Sequence, residues 1–220
     1  MGLACSILAA ASRLKGGDVL RTRALGGMPR PRRVLRAKQL EVTMTWIFGY
    51  GSLIWRPAFA YEFSRKAALR GWCRRFWQAS PDHRGIPAAP GRVVTLVPDA
   101  AATCWGMAFR APAAQWGDIV AELDYRERNG YTRMAVELEF EDGERTTAIT
   151  YVATSDNPSF VGPAPLPAMV QQIACAVGPS GSNREYLTRL AETLRALDID
   201  DDEVQELHAA LTALAVERGD

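Results

Sequence analysis

The spacing of apolar residues changes character along this chain. Between Trp46 and Ala153 they fall in short aromatic or β-branched runs and in two-residue alternation, interrupted by one helical stretch. From Leu166 onward they recur every three or four positions. Trp46-Ile47-Phe48 reads as a buried strand that ends at Gly49-Tyr50-Gly51-Ser52-Leu53. Gly71–Ala79, Arg92–Val97 and Cys104–Arg110 read as further strands, with a Pro/Gly-dense loop at Pro81–Pro90. Met134, Val136, Leu138 and Phe140 alternate with Glu137 and Glu139. The turn Glu141-Asp142-Gly143-Glu144 then leads into a return strand over Arg145–Ala153. The interruption is helical, with Trp116, Ile119, Val120 and Leu123 on one face. In the last third, Ser182 and Glu185 are spaced as a capping box for a helix bearing Leu187, Leu190, Leu194 and Leu197. Asp201, Asp202 and Glu203 favour the start of a final helix with Val204, Leu207, Leu211 and Leu214 inward. Strands first and helices later predict an α+β fold: a small, mostly antiparallel sheet or barrel with flanking helices and a helical C-terminal third. A doubly wound parallel sheet would require regular strand–helix alternation.

Charge divides the chain. Residues 1–43 hold nine Lys/Arg against two Asp/Glu, net +7, and the remainder is net −6, so the formal total of +1 belongs to neither part. A body acidic by six charges argues against a nucleic-acid partner. No apolar run approaches the roughly 18 residues of a membrane span. Residues 1–43 read as a leader outside the folded body 44–220. They are expected to be poorly ordered, or to stand upstream of a true start at Met44. Met1-Gly2-Leu3-Ala4-Cys5-Ser6 formally fits a myristoylation pattern, and the Arg-rich, acid-poor composition also suits a transit peptide. Cys5, Cys73, Cys104 and Cys175 form no CxxC pair, and with only His83 and His208 beside them no zinc spacing can be written. They are expected to be reduced, mostly buried thiols of a cytoplasmic protein.

Three constellations could carry chemistry. Gly49-Tyr50-Gly51 begins like a dinucleotide fingerprint, but Ile54 stands at the third glycine position and Pro57 follows, which argues against a Rossmann site. A strand running into alternating glycines can still turn its N–H groups into a small anion nest, or be an ordinary tight turn. Asp82-His83-Arg84-Gly85 invites a triad with Ser52. Sequence neighbours cannot easily form the required line, and no GxSxG elbow exists, so loop anchoring is the plainer reading. At Leu123-Asp124-Tyr125-Arg126-Glu127-Arg128-Asn129-Gly130-Tyr131 a helix ends among acids, bases and aromatics. Glu127 is there either a solvated charge or a carboxylate whose pKa is raised against apolar surface.

Taken together these strings resemble a known family. Phe48-Gly49-Tyr50-Gly51-Ser52-Leu53-Ile54-Trp55 is similar to the opening motif of the ChaC-type γ-glutamylcyclotransferases, the glutathione-specific class. The likeness continues through Arg75-Phe76-Trp77-Gln78, Asp82-His83-Arg84-Gly85, Pro90-Gly91-Arg92-Val93-Val94-Thr95-Leu96 and Trp105-Gly106. It runs on through Asp124–Tyr131 and Asp156-Asn157-Pro158 to Gly162-Pro163-Ala164-Pro165-Leu166 and Gly178–Leu187, covering about residues 46–190. The family's Arg-Glu-Lys-Gly-Gly-Tyr-like string is here Arg126-Glu127-Arg128-Asn129-Gly130-Tyr131, with Asn at a turn position where it tolerates positive φ.

The resemblance implies cleavage of glutathione to 5-oxoproline and Cys-Gly by attack of the γ-glutamyl α-amine on its own γ-carbonyl. No metal or cofactor is implied. Glu127 is then the expected general acid/base. The N–H groups of Ile47, Phe48, Gly49, Tyr50, Gly51, Ser52 and Leu53 are expected to hold the substrate α-carboxylate and steady the oxyanion. Tyr50, Tyr131 and Tyr151 are expected to orient the substrate through their hydroxyls, and Arg84 or Arg92 to meet the glycine carboxylate. The expected protein is a monomeric cytoplasmic enzyme with a small-molecule substrate, no nucleic acid and no membrane. Two rival readings share the fold: a cyclotransferase for other γ-glutamyl amines or peptides, and a non-catalytic regulatory protein.

Overall fold

The computed structural model describes residues 45–218, so the readings of the leader lie outside the described residues. Five strands close a barrel in the order β1-β3-β2-β4-β5. They are β1 (Trp46–Gly49), β2 (Phe63–Ser80), β3 (Gly91–Arg110), β4 (Thr132–Phe140) and β5 (Arg145–Val152). Every neighbouring pair is antiparallel except the closing one, where β1 runs parallel to β5 with Trp46 opposite Ala148 and Ile47 opposite Ile149. The remaining elements are α1 (Trp116–Arg126), α2 (Leu166–Cys175), the two-residue strands β6 (Val177–Gly178) and β7 (Gly181–Ser182), α3 (Asn183–Ala196) and α4 (Asp202–Arg218). Among the described residues, no helix is long and apolar enough to cross a membrane.

The barrel differs from the expectation in its strand lengths. The two strands expected at Arg92–Val97 and Cys104–Arg110 are one strand, β3, and the strand expected at Gly71–Ala79 begins at Phe63. Pro98 and the exposed, weakly apolar run after it read as a break. Instead the ladder slips there: Arg70 faces Thr103, while Trp72 faces Pro98. Gly71, at φ +80, takes the kink on the partner strand. Such a bulge bends a long strand pair without ending it.

Two cores hold the parts together. In the larger, Phe48, Phe76, Leu96, Leu138 and Phe140 of the barrel pack with Ile173 of α2, Leu187, Leu190 and Leu194 of α3, and Val204, Leu207 and Leu211 of α4. Leu197 and Leu214 border it only partly buried. The smaller joins Ile47, Leu53 and Ile149 to Ile119 and Leu123 on the inner face of α1. That second core seats α1 against the loop after β1, and so sets where the helix ends.

Helix starts follow the sequence with one difference. Ser182 caps α3 by accepting from the Glu185 N–H at 3.2 Å. The Glu185 carboxylate does not reach back to close the box; it pairs with Arg84 at 3.3 Å and Arg189 at 2.9 Å. The thiols also depart from expectation. Cys104 is buried, Cys73 is half-buried and Cys175 is exposed, because Cys175 lies at the outer end of α2.

Candidate active site

Strand β1 runs out at Gly49, and the chain turns through a short 3₁₀ segment, Ser52–Ile54. Close approach, rather than positive φ, explains both glycines. A Cβ on Gly49 would lie 2.8 Å from the Leu53 Cβ, and one on Gly51 would lie 2.9 Å from Val94 Cγ2 and 3.1 Å from the Tyr186 hydroxyl. Gly51→Ala is therefore expected to cost about 1–3 kcal/mol by overpacking, read as a lower urea midpoint at unchanged slope. The turn closes with Ile54 N–H to Gly51 O at 3.0 Å, and Ser52 O accepts from the Trp55 and Arg56 N–H groups, the latter at 2.8 Å. The first N–H groups of so short a turn find no partner within it. Arg74 fixes the direction of one of them. Its Nε donates to the Tyr50 carbonyl at 2.6 Å. In a trans peptide the following N–H, that of Gly51, points the opposite way.

Helix α1 supplies the acid. The Glu127 N–H bonds to Leu123 O at 2.9 Å, so Glu127 caps the C-terminus of the helix, and its own carbonyl accepts from the Tyr131 N–H at 3.2 Å. The carboxylate stands where two recesses meet. The outer is a cavity of about 330 Å³ whose lining includes Trp55, His83, Arg84 and Arg126. The inner, about 50 Å³, is lined by Phe48, Tyr50, Gly51, Leu53 and Tyr151 among others. Ser52, Glu127, Tyr131 and Tyr186 line both.

Burial raises the Glu127 pKa above the usual carboxylate range. The charges of Arg126 and His83 oppose that rise, and Asp82 adds to it. Burial also pushes the Tyr50 and Tyr131 phenols well up, and Tyr186 up to about 12, so these hydroxyls are neutral at physiological pH. Their protons are largely committed. Tyr50 donates to Tyr151 O at 2.6 Å, Tyr131 to Val94 O at 2.8 Å, and Tyr151 to the Asp124 carboxylate at 2.8 Å. A phenol that has given its proton away keeps its oxygen lone pairs, and so offers an acceptor to an ammonium group.

Most of the expected residues come together here. Tyr50, Gly51, Ser52, Leu53, Phe48, Glu127, Tyr131 and Tyr151 line the recesses, and Arg84 lines the outer one. Ile47 does not; its side chain belongs to the smaller core and its backbone to the β1 ladder. Gly49 likewise ends that ladder, packed on Leu53. Arg92 corrects the expectation most clearly, since it lines neither recess. Its guanidinium is used up on Gln172 at 2.7 Å and on the carbonyls of Phe76 and Gly162 at 2.9 and 3.0 Å.

Two contributors escaped the sequence reading. Tyr186, which accepts from the Val94 N–H at 3.5 Å, lay unremarked inside the Gly178–Leu187 string. Arg126 stood beside Glu127 with no sign of which way it points. His83, whose plainer sequence reading is loop anchoring, stands 3.7 Å from Asp82. Its Nδ1 lies 3.2 Å from Ser180 Oγ, and Ser52 is bonded to Arg126 rather than to a histidine.

Comparison with known proteins places this arrangement. The family model described as "ChaC-like protein" matches residues 45–214. Glutathione-specific γ-glutamylcyclotransferase 1 of Danio rerio is 43% identical over 175 residues, which are 76% of this chain and 89% of that protein. The Homo sapiens protein of the same name is 45% identical over 154 residues, 68% of this chain and 69% of its own. A crystal structure of a yeast γ-glutamylcyclotransferase specific to glutathione superposes with a TM-score of 0.72 at 30% identity, covering 76% of this chain and 95% of that one.

Proposed function

Since the chain belongs to the ChaC-like protein family, we propose that its paired recesses cleave glutathione to 5-oxoproline and Cys-Gly. The chain is an enzyme, a glutathione-specific γ-glutamylcyclotransferase like the relatives it matches. The observation that carries the reaction is the position of Glu127: a carboxylate with a raised pKa at the junction of a small recess lined by the Tyr50–Leu53 loop and a larger outer cavity.

In this reading the γ-glutamyl head enters the inner recess. The N–H groups of Tyr50–Leu53 hold its α-carboxylate, and the chain bends so that its α-nitrogen faces its own γ-carbonyl. The C–N bond of the lactam forms and the C–N bond to cysteine breaks, with no water consumed. The substrate ammonium, held by its own α-carboxylate above the roughly 7.7–8.0 of a peptide α-amine, gives up two protons, and the departing nitrogen gains two as it becomes an ammonium. Glu127 relays them. A carboxylate tuned upward by burial is suited to both halves of that relay. The phenol oxygens of Tyr50 and Tyr131 face the ammonium as acceptors, and Arg84 meets the far carboxylate from the outer cavity. Nucleophile and electrophile share one molecule, so orientation alone supplies up to about 7–11 kcal/mol in the best such cases.

We further infer that residues 44–220 are the catalytic unit, with 1–43 outside it, in keeping with the family match beginning at residue 45. The described cysteines Cys73, Cys104 and Cys175 are free, in keeping with a reducing, cytoplasmic setting. Incubation with reduced glutathione should release 5-oxoproline and Cys-Gly in equal amounts by mass detection, while γ-glutamyl-alanine gives little 5-oxoproline. Faster release from γ-glutamyl-alanine would favour the broader cyclotransferase. Calorimetric binding of glutathione with no product would indicate a regulatory protein.

A further inference from the structure

We propose that Arg126 is a positioning residue, whose guanidinium ties the carboxylate of Glu127 to the glycine loop and so fixes the spacing between proton acceptor and amide donors. The proposal rests on Glu127 being the base. Three contacts define it. Nε lies 3.1 Å from Glu127 Oε1, one terminal nitrogen donates to Ser52 Oγ at 2.9 Å, and the other reaches the Arg56 carbonyl at 3.5 Å. Ser52 opens the turn that follows Gly51, and Arg56 N–H in turn bonds back to Ser52 O at 2.8 Å. One planar fork therefore spans the end of α1 and both ends of the loop segment. A guanidinium can hold three acceptors in a fixed geometry, whereas an ammonium is a single point of charge on a flexible stem.

The same contact has an electrostatic consequence. The base must be ionised at rest to accept a proton from an ammonium, and burial drives it toward the neutral acid. The charged groups facing the carboxylate are Arg126 on its own helix, and Asp82 and His83 on the β2–β3 connection. The neighbouring phenols Tyr50, Tyr131, Tyr151 and Tyr186 are neutral, with their pKa values all raised. Asp82 is itself engaged by the Asn129 side chain. Arg126 is thus the cation in direct contact with the carboxylate, 3.1 Å from it.

The pH dependence of kcat/KM for glutathione separates this role from a merely structural one. The alkaline limb is set by groups other than Glu127 and serves as an internal reference. Arg126→Gln should move the acid limb upward by about one pH unit, since a charge at this distance is worth at least that. Arg126→Lys keeps the charge and loses the fork, so its acid limb should stay in place while kcat falls about tenfold through misplacement. Ser52→Ala cuts only the link to the loop, and should lower kcat with neither limb moved. An acid limb unmoved or lowered in Arg126→Gln overturns the proposal, as does an Arg126→Lys protein with wild-type kcat. Should Arg126→Gln fail to fold, the split between kcat and KM in Arg126→Lys decides. Glu127→Gln is the reference that separates the two readings. If it remains active, the base assignment fails. If it is inactive while the Arg126→Gln limb stays put, only the positioning role fails.

Discussion

Glutathione turnover by Glu127→Gln protein should fall at least about a hundredfold, the lower end of what a positioned general base contributes. The substitution keeps the side chain's shape, and removes the ability to accept a proton together with the charge paired to Arg126. Ring closure cannot begin from an ammonium, and the leaving nitrogen departs poorly unless it is protonated. The loss should therefore appear in kcat, with KM little changed, because the loop amides and the outer cavity still hold the substrate. Near-normal 5-oxoproline release by a folded Glu127→Gln protein would remove Glu127 from the mechanism.

The same variant should be more stable than the parent at neutral pH. The Glu127 pKa is raised in the folded chain. Between its unfolded value and that raised value, the folded state therefore binds more protons than the unfolded one. Its contribution to stability then declines as pH rises through that window, and is at its least above it. A neutral amide escapes this cost. Thermal unfolding at pH 7 and again near pH 4 checks the sign: the advantage of Gln should be larger at pH 7. Stability given up at a functional carboxylate is the familiar exchange of stability for activity.

Arg74→Met is expected to lower the unfolding free energy by about 3–5 kcal/mol, the range found when one partner of a buried ion pair is removed. The Arg74 side chain is wholly buried and its partner Asp201 is 12% exposed, with 2.6 Å between them. Its other nitrogens donate to the carbonyls of Tyr50 and Trp105, each at 2.6 Å. Methionine fills similar space but leaves a carboxylate and two carbonyls facing apolar neighbours. Adding Asp201→Asn should recover part of the loss, because the stranded charge is then gone while the carbonyls remain unpaired. A urea titration giving less than about 1 kcal/mol for Arg74→Met would mean water reaches Asp201 freely. Turnover at low denaturant should fall as well, since the Tyr50 peptide loses the contact that sets its plane.

Much of the fold was legible. The β4–β5 hairpin follows from strict alternation around a Gly143 that adopts φ +84, and the start of α3 follows from Ser182. Strand β3 was not legible, because a proline and four small or polar residues resemble a loop unless the bulge at Gly71 on its partner is known. Local pattern also could not find Arg74 or Arg92. An arginine within a strand reads as solvent-facing, and only long-range partners such as Asp201 and Gln172 explain its burial. In the site, the glycine loop declared itself by composition. Glu127 stood out only through the longer string around it, since blind spacing gives a surface acid beside two arginines. Direction was what the sequence withheld. Arg84 and Arg92 were equal candidates until the structure placed Arg84, paired with Glu185, in the cavity lining and spent Arg92 on Phe76, Gly162 and Gln172.

The parallel pairing of β1 with β5 bears on how the protein is made. The four residues of β1 are the barrel's shortest stave, and they find their parallel partner about a hundred positions downstream, Trp46 against Ala148. Contacts so distant along the chain carry a high closure entropy and form late. A ribosome delivers the loop early and its seam much later, so a nascent chain carries the glycines long before anything holds them in place. Until that seam closes, the barrel framing the acid at the end of α1 and the loop beyond β1 is incomplete. Chain order therefore places completion of the inner recess after synthesis of β5, the stave that supplies Tyr151 to its lining.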